Sequence, residues 1–144
     1  MNLRQSLLTT LFILSITCSV KAAELTVTID HIKNDEGIVY AQLFLGEDSY
    51  NNNNAEQSSM MPAKQGAGEF TFKDLTPGDY VVRLYHDENG NQQLDMNAFG
   101  MPLEGYGFSN EAVANMGPPQ YKDMVVRIEE SDGVVKTKAK MTYL

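Results

Sequence analysis

Hydrophobic and polar residues alternate along most of the chain after residue 22. This period of two is typical of strands that bury one face and expose the other. A weaker alternation at 59–63 predicts a seventh strand, and Pro62 within it suits the edge of a sheet. The six clearer segments are residues 25–29, 39–45, 70–75, 80–84, 124–128 and 135–143.

Turn residues separate these segments. Asp35–Gly37 predicts a hairpin, Thr76–Asp79 has Pro and Gly where a type II turn needs them, and Ser131–Gly133 predicts another turn. No window of 12 residues after residue 22 has a convincing helical period, and residues 51–64 are the one place for a short helix. The pattern therefore predicts an all-β, antiparallel, immunoglobulin-like sandwich of six to seven strands.

The first 22 residues predict a signal peptide. Arg4 provides a positive start, residues 7–16 form an apolar run, and Val20-Lys21-Ala22 places small residues for cleavage after Ala22. Cys18 leaves lipoprotein processing as the alternative, although Ile16-Thr17 precedes it where a lipobox has Gly or Ala. We therefore expect a periplasmic or secreted protein with no transmembrane segment in the mature chain.

Composition excludes several classes of function. Residues 23–144 are long enough for one domain, and the single cysteine of the chain lies in the signal peptide, which excludes thiol catalysis and disulfides in the mature protein. The 19 acidic residues outnumber the 11 basic ones, for a formal net charge of −8. That balance argues against nucleic acid as a partner.

The segment from 86 to 119 differs from the rest because it lacks strand periodicity and is rich in Gly, Asn, Asp and Pro. Loops of this length in a compact domain are commonly functional or disordered. Its aromatic residues and repeated glycines favour an ordered loop. We therefore expect residues 86–119 to be the working surface of the domain.

Part of this loop has the spacing of a calcium-binding loop. Oxygen-bearing side chains at Asp87, Asn89, Asn91 and Asp95 occupy relative positions 1, 3, 5 and 9. The carbonyl of Gln93 and water would complete the oxygen shell. The pattern predicts a site for calcium, the one cofactor that the sequence suggests.

The loop departs from an EF-hand at two positions. Ala98 replaces the bidentate Glu at the twelfth position, and Gln92 replaces Gly at the sixth. Because the loop follows a strand, a true EF-hand is excluded. The alternative is an ion-free loop in which the Asp and Asn side chains bond to their own backbone as Asx turns.

The aromatic residues of the loop have two interpretations. They could form a stacking surface for a carbohydrate or protein ligand, or they could pack the loop onto the sheet. The predicted ligand surface comprises His86, Phe99, Glu104, Tyr106, Phe108 and Asn110.

His86 also has two interpretations. It shares the side-chain phase of residues 80, 82 and 84 and directly precedes Asp87, so the pair could transfer protons in a hydrolase. The alternative is that it orients the loop by hydrogen bonds. No residue is assigned a catalytic role from the sequence.

The same segments resemble a known bacterial family. The motifs are LTPGDY at 75–80, HDENGN at 86–91, LD at 94–95, FGMPLEGYGFSN at 99–110 and GPP at 117–119. Together they are similar to the exported family named domain of unknown function 2141. The strand-turn-strand part also resembles prealbumin-like and Cna-B-like sandwiches, some of which bind calcium through an Asp/Asn loop.

The resemblance implies a fold and a compartment, and brings no activity or substrate. Transthyretin-like hydrolases share the expected fold but end in Tyr-Arg-Gly-Ser, where this chain ends in Thr142-Tyr143-Leu144. We therefore expect an exported, non-enzymatic binding or structural module whose loop is ordered by calcium. Its partner would be a protein or carbohydrate ligand, and the alternative is a periplasmic hydrolase that uses His86 with Asp87.

Overall fold

A computed structural model describes residues 22–144 of the chain. The predicted signal peptide lies outside the described residues except for Ala22. The elements are β1 (Ala23–Ile32), β2 (Ile38–Leu45), α1 (Glu47–Asn51), β3 (Gln57–Pro62), β4 (Gly66–Leu75), β5 (Gly78–Asp87), β6 (Gly105–Phe108), α2 (Tyr121–Met124), β7 (Val126–Ile128) and β8 (Val134–Lys140).

The strands form two sheets, which confirms the all-β sandwich. One sheet has the order β4-β1-β8, and the other has the order β3-β2-β5-β6, with β7 pairing to the remaining length of β5. Every pair is antiparallel except β1 with β8, which run parallel, so one sheet is mixed where the sequence predicted antiparallel strands alone.

The core lies between the two sheets and is built from the alternate apolar positions of each strand. Leu25, Val27 and Ile29 of β1 are completely buried, and so are Val82 and Leu84 of β5. At roughly 1.5–3 kcal/mol for each large apolar side chain removed from water, this alternation is the main source of stability in a domain without disulfides.

Most predicted strands are confirmed, and the differences are informative. The weak edge strand is β3, which pairs only with β2 at the margin of the larger sheet. A short helix was expected within residues 51–64, but α1 ends at Asn51. Helix α2 includes Met124, the first residue of the predicted strand 124–128. The prediction missed β6, which lies inside the segment read as a strandless loop.

Within residues 22–144, no helix is long and apolar enough to cross a bilayer.

The larger sheet is also covered on its outer face, the face turned away from the core. A second apolar cluster forms there from Val81, Tyr106, Phe108 and Met124, each at most 8% exposed. Segments on either side of β6 pack against this cluster. The long loop therefore does not project from the sandwich but folds back over one face of it.

Candidate functional site

A groove of about 860 Å³ lies on the outer face of the larger sheet. Its floor comes from β2 and β5, through Gln42, Arg83 and Tyr85. The long loop lines it with residues 92–94, 96, 99–102, 114 and 116–118, and the segment that follows β2 adds Tyr50 and Asn53. Strand alternation explains the floor, because these positions of β2 and β5 point away from the core.

A row of three tyrosines crosses the sheet beside the groove. In the strand register Tyr40 lies opposite Tyr85, and Tyr85 lies opposite Tyr106. The rings of Tyr40 and Tyr85 stack with centroids 4.9 Å apart. The Tyr85 hydroxyl donates to the carbonyl of Gln92 at 3.1 Å, which ties the long loop to the sheet.

Arg83 is held at the groove floor by neutral partners. Its Nε and Nη2 donate to Oε1 of Gln42 at 3.2 and 2.6 Å, and Nη2 also donates to Oδ1 of Asn53. The guanidinium carbon lies 5.0 Å from the ring centroid of Phe44, within cation–π range. These contacts fix the plane of the guanidinium group.

Within residues 22–144, Arg83 has no carboxylate within 4.0 Å of its guanidinium nitrogens. Burial lowers the pKa of Arg83, while the nearby phenols of Tyr50 and Tyr85 act in the opposite direction. The group remains cationic because arginine is not deprotonated in proteins. Among the described residues that line the groove, which include Leu144, Arg83 is the one with a charged side chain.

Apolar side chains at the groove are open to solvent. Phe99 is 89% exposed and Met116 is fully exposed, and Met96 and Met101 are each about half exposed. All four contribute to the groove lining. A ligand that covers such side chains removes their apolar surface from water, which stabilises the complex.

The predicted calcium loop begins at a completely buried carboxylate. Oδ1 of Asp87 accepts from the backbone N–H groups of Gly90 and Asn91 at 2.7 and 3.2 Å. Its Oδ2 accepts from the N–H of Gln92 at 2.8 Å. Asp87 therefore sets the turn that starts the loop.

The other predicted ligands converge on Asp95. Its Oδ2 and Oδ1 accept from the side-chain amides of Asn89 and Asn91 at 2.6 and 2.8 Å. Each Asn also bonds through Oδ1 to the backbone N–H two residues later, at Asn91 and Gln93. The structure thus joins the side chains of Asn89, Asn91 and Asp95, while the Asp87 carboxylate bonds to the backbone at the start of the loop. Calcium binding by this loop remains a prediction.

Glu104 holds the two ends of this loop together. It is 6% exposed, and its two oxygens accept from the backbone N–H groups of Glu88 at 2.9 Å and Asp95 at 3.1 Å. Glu104 was predicted as part of a ligand surface, and the structure places it beneath the loop instead.

His86 lies on the core side of β5 and is completely buried. Its Nε2 donates to the carbonyl of Glu36 at 2.6 Å, and Nδ1 bonds with the hydroxyl of Tyr143 at 2.8 Å. Both ring nitrogens are therefore engaged within the protein, and the side chain faces away from the groove. This position does not favour the hydrolase alternative, which needs a nitrogen within reach of a substrate.

The remaining predicted surface residues separate into two groups. Phe99 is exposed at the groove, whereas the side chains of Tyr106 and Phe108 are buried in the outer cluster and fixed by the pairing of β6 with β5. Asn110 joins segments, because its Nδ2 donates to the carbonyl of Val125 at 2.7 Å and its N–H donates to Thr137.

Sequence reasoning missed Arg83, Gln42 and Tyr85 as groove residues. Arg83 lies at an outward position of β5, where a polar side chain is ordinary for a strand with one face toward solvent. The outward positions of β2 and β5 include Tyr40, Phe44 and Tyr85, and this aromatic content was the available signal that the face is covered.

Comparison with known proteins identifies a family. No curated protein and no solved structure matches the chain. Residues 27–136, which include six complete strands and the whole long loop, match a family of bacterial proteins. The chain therefore belongs to the family described as uncharacterized protein conserved in bacteria (DUF2141).

Proposed function

We propose that this protein is an exported binding module that holds a small, largely apolar ligand in the groove on the outer face of its larger sheet. The observation that carries this proposal is the groove of about 860 Å³, with exposed Phe99, Met96 and Met101 at its rim.

The dimensions of the groove support a small molecule as ligand. Small-molecule sites in proteins are concave, mostly apolar and commonly about 300–1,000 Å³ in volume, with a few polar groups that fix orientation. The groove has this character, with Gln42, Asn53 and Arg83 clustered as the polar groups. A rigid sheet beneath the ligand keeps these groups in place without ordering costs on binding.

A neutral dye whose fluorescence rises in apolar surroundings, such as Nile red, tests the proposal. The purified protein is expected to bind the dye, and the double variant Met96→Ser/Phe99→Ser should bind it about tenfold more weakly because two apolar contacts are lost. Fluorescence titration measures both dissociation constants.

Leu103→Ser is the matched control. Leu103 is 64% exposed and belongs to the same loop but does not line the groove. It should leave dye binding unchanged. Equal binding by the wild type and the double variant, or an equal loss in Leu103→Ser, would show that the dye does not report on the groove.

We also propose that calcium stabilises the loop at 87–95. The support is the convergence of Asn89 and Asn91 on the Asp95 carboxylate, beside the turn set by Asp87. Each Asn carbonyl oxygen that bonds to the backbone keeps a second lone pair, and calcium takes six to eight such oxygens. The loop leads directly into the groove wall at Gln92–Leu94, so an ion here would stiffen the binding surface.

Thermal unfolding with excess calcium and with excess chelator tests this second proposal. Calcium at about 100 times its dissociation constant adds roughly 2.7 kcal/mol, and we expect a Tm higher by about 5–15 °C. Asp95→Asn keeps the shape of the side chain and should remove the shift, whereas Asp48→Asn in α1 should keep it. Superimposed wild-type curves would exclude tight calcium binding.

A further inference from the structure

The guanidinium group of Arg83 retains hydrogen-bonding capacity that the protein does not use. Its Nε and Nη2 donate to the side chains of Gln42 and Asn53, but Nη1 has no hydrogen-bond partner among residues 22–144. Every buried side-chain nitrogen or oxygen in this part of the chain has a hydrogen-bond partner. Because Nη1 has none, it must be accessible to solvent. Two N–H groups thus remain available in the groove.

The charge of Arg83 is also uncompensated. The other arginine in the described part of the chain, Arg127, donates to both oxygens of Asp79 at 2.8 and 3.1 Å. Arg83 instead has two neutral amides and the ring of Phe44, in a protein of net charge −8. A partly buried charge without a counter-ion destabilises the folded protein unless another interaction, such as one with a ligand, offsets the cost of desolvation.

We propose that the groove binds an amphiphilic carboxylate, with the carboxylate on Nη1 of Arg83 and the apolar body against Met96, Phe99 and Met101. This inference rests on the proposed function and adds the chemical class of the ligand to it. The charge complementarity supports an anion, and the two free N–H groups of Nη1 can form charge-assisted hydrogen bonds to a carboxylate. The groove volume suits a small molecule over a folded protein.

Three ligands with the same ten-carbon chain test the proposal: decanoate, decanol and decyltrimethylammonium, each below its micelle-forming concentration. Displacement of the neutral dye or calorimetry gives the dissociation constants. We expect decanoate to bind about ten- to a hundredfold more tightly than decanol, because a hydrogen bond to a charged group adds that much. The cationic ligand should bind most weakly.

Variants of the two arginines assign the effect to Arg83. Arg83→Gln should abolish the preference for decanoate while leaving decanol binding unchanged, and Arg83→Lys should retain part of it. Arg127→Gln is the matched control, because it removes the same charge from the same protein at an exposed position outside the groove. It should keep the full preference.

The outcomes separate this inference from the proposed function. Equal binding of decanoate and decanol, or the same loss in Arg127→Gln as in Arg83→Gln, would overturn the carboxylate assignment while dye binding still supports the groove. A preference for decanol would point to a neutral ligand such as a carbohydrate or lipid alcohol. If neither the dye nor any of the three chains binds, both proposals are wrong.

Discussion

The polar side chains on the two faces of β5 differ in how fully their hydrogen bonds are satisfied. On the core face, His86 is completely buried and both ring nitrogens bond within the protein, to Glu36 and Tyr143. On the outer face, Arg83 is half-buried, has neutral partners and keeps Nη1 unpartnered among residues 22–144. One strand therefore has a polar group satisfied internally and, three residues earlier, one that is only partly satisfied.

This difference separates stability from binding. A buried polar group with all its bonds made stabilises one arrangement of the core and offers nothing to a ligand. A charged group with unused donors in a groove contributes less to folding and is available for recognition. We expect substitutions on the two faces to have opposite consequences.

The largest effect is expected for His86→Ala. The change leaves a cavity in the core and removes the partner of the Glu36 carbonyl and the Tyr143 hydroxyl, so the free energy of unfolding should fall by about 3 kcal/mol. Urea titration followed by circular dichroism measures it. Dye affinity in the folded variant should not change.

His31→Ala is the comparison for this variant, because His31 is exposed and forms no side-chain hydrogen bond within residues 22–144. Its cost should stay below about 1 kcal/mol, because the side chain is exposed and the main penalty is placing alanine at the positive φ of 68°. A fall in dye affinity of the folded His86→Ala protein would show that the two faces are coupled.

A smaller effect is expected for Arg83→Met. The apolar side chain has a similar length and removes the cost of desolvating a charge, while the bonds to Gln42 and Asn53 are lost. These terms nearly cancel, so stability should be unchanged or higher by up to about 1 kcal/mol. Thermal unfolding measures this. A loss of about 3 kcal/mol instead would place Arg83 among the residues that hold the fold together.

Much of the fold followed from the period of two, and its exception is instructive. β6 was missed because Gly105 and Gly107 occupy its core-facing positions, where a strand normally has apolar side chains. A Cβ at Gly107 would lie 2.8 Å from the Lys140 carbonyl oxygen, and one at Gly105 would collide with the Tyr143 ring. Close packing against the C-terminal segment therefore removes the hydrophobic signal that the strand would otherwise show.

Only the part of the candidate site that lies within one loop was predictable from the sequence. Asn89, Asn91 and Asp95 bond to one another because they are near neighbours in one loop, and spacing captures such contacts. The groove depends on contacts between residues distant in sequence, such as Arg83 with Asn53. No local pattern encodes how the long loop docks on the outer face, so the groove emerged only from the folded chain.

The parallel pairing of β1 with β8 has a consequence for how the protein reaches its folded state. Leu25 pairs with Val135, so the central strand β1 completes its pairing only after β8, the last of the described strands, has been made. Such long-range pairing closes a large loop before its contacts are gained, and sandwiches of this kind commonly fold in about milliseconds to seconds. During synthesis, β1 and β4 are complete before β8, so one edge of β1 is still unpaired after β4 has joined it. That edge stays exposed to other chains until β8 arrives, which makes early chain segments the most vulnerable to aggregation.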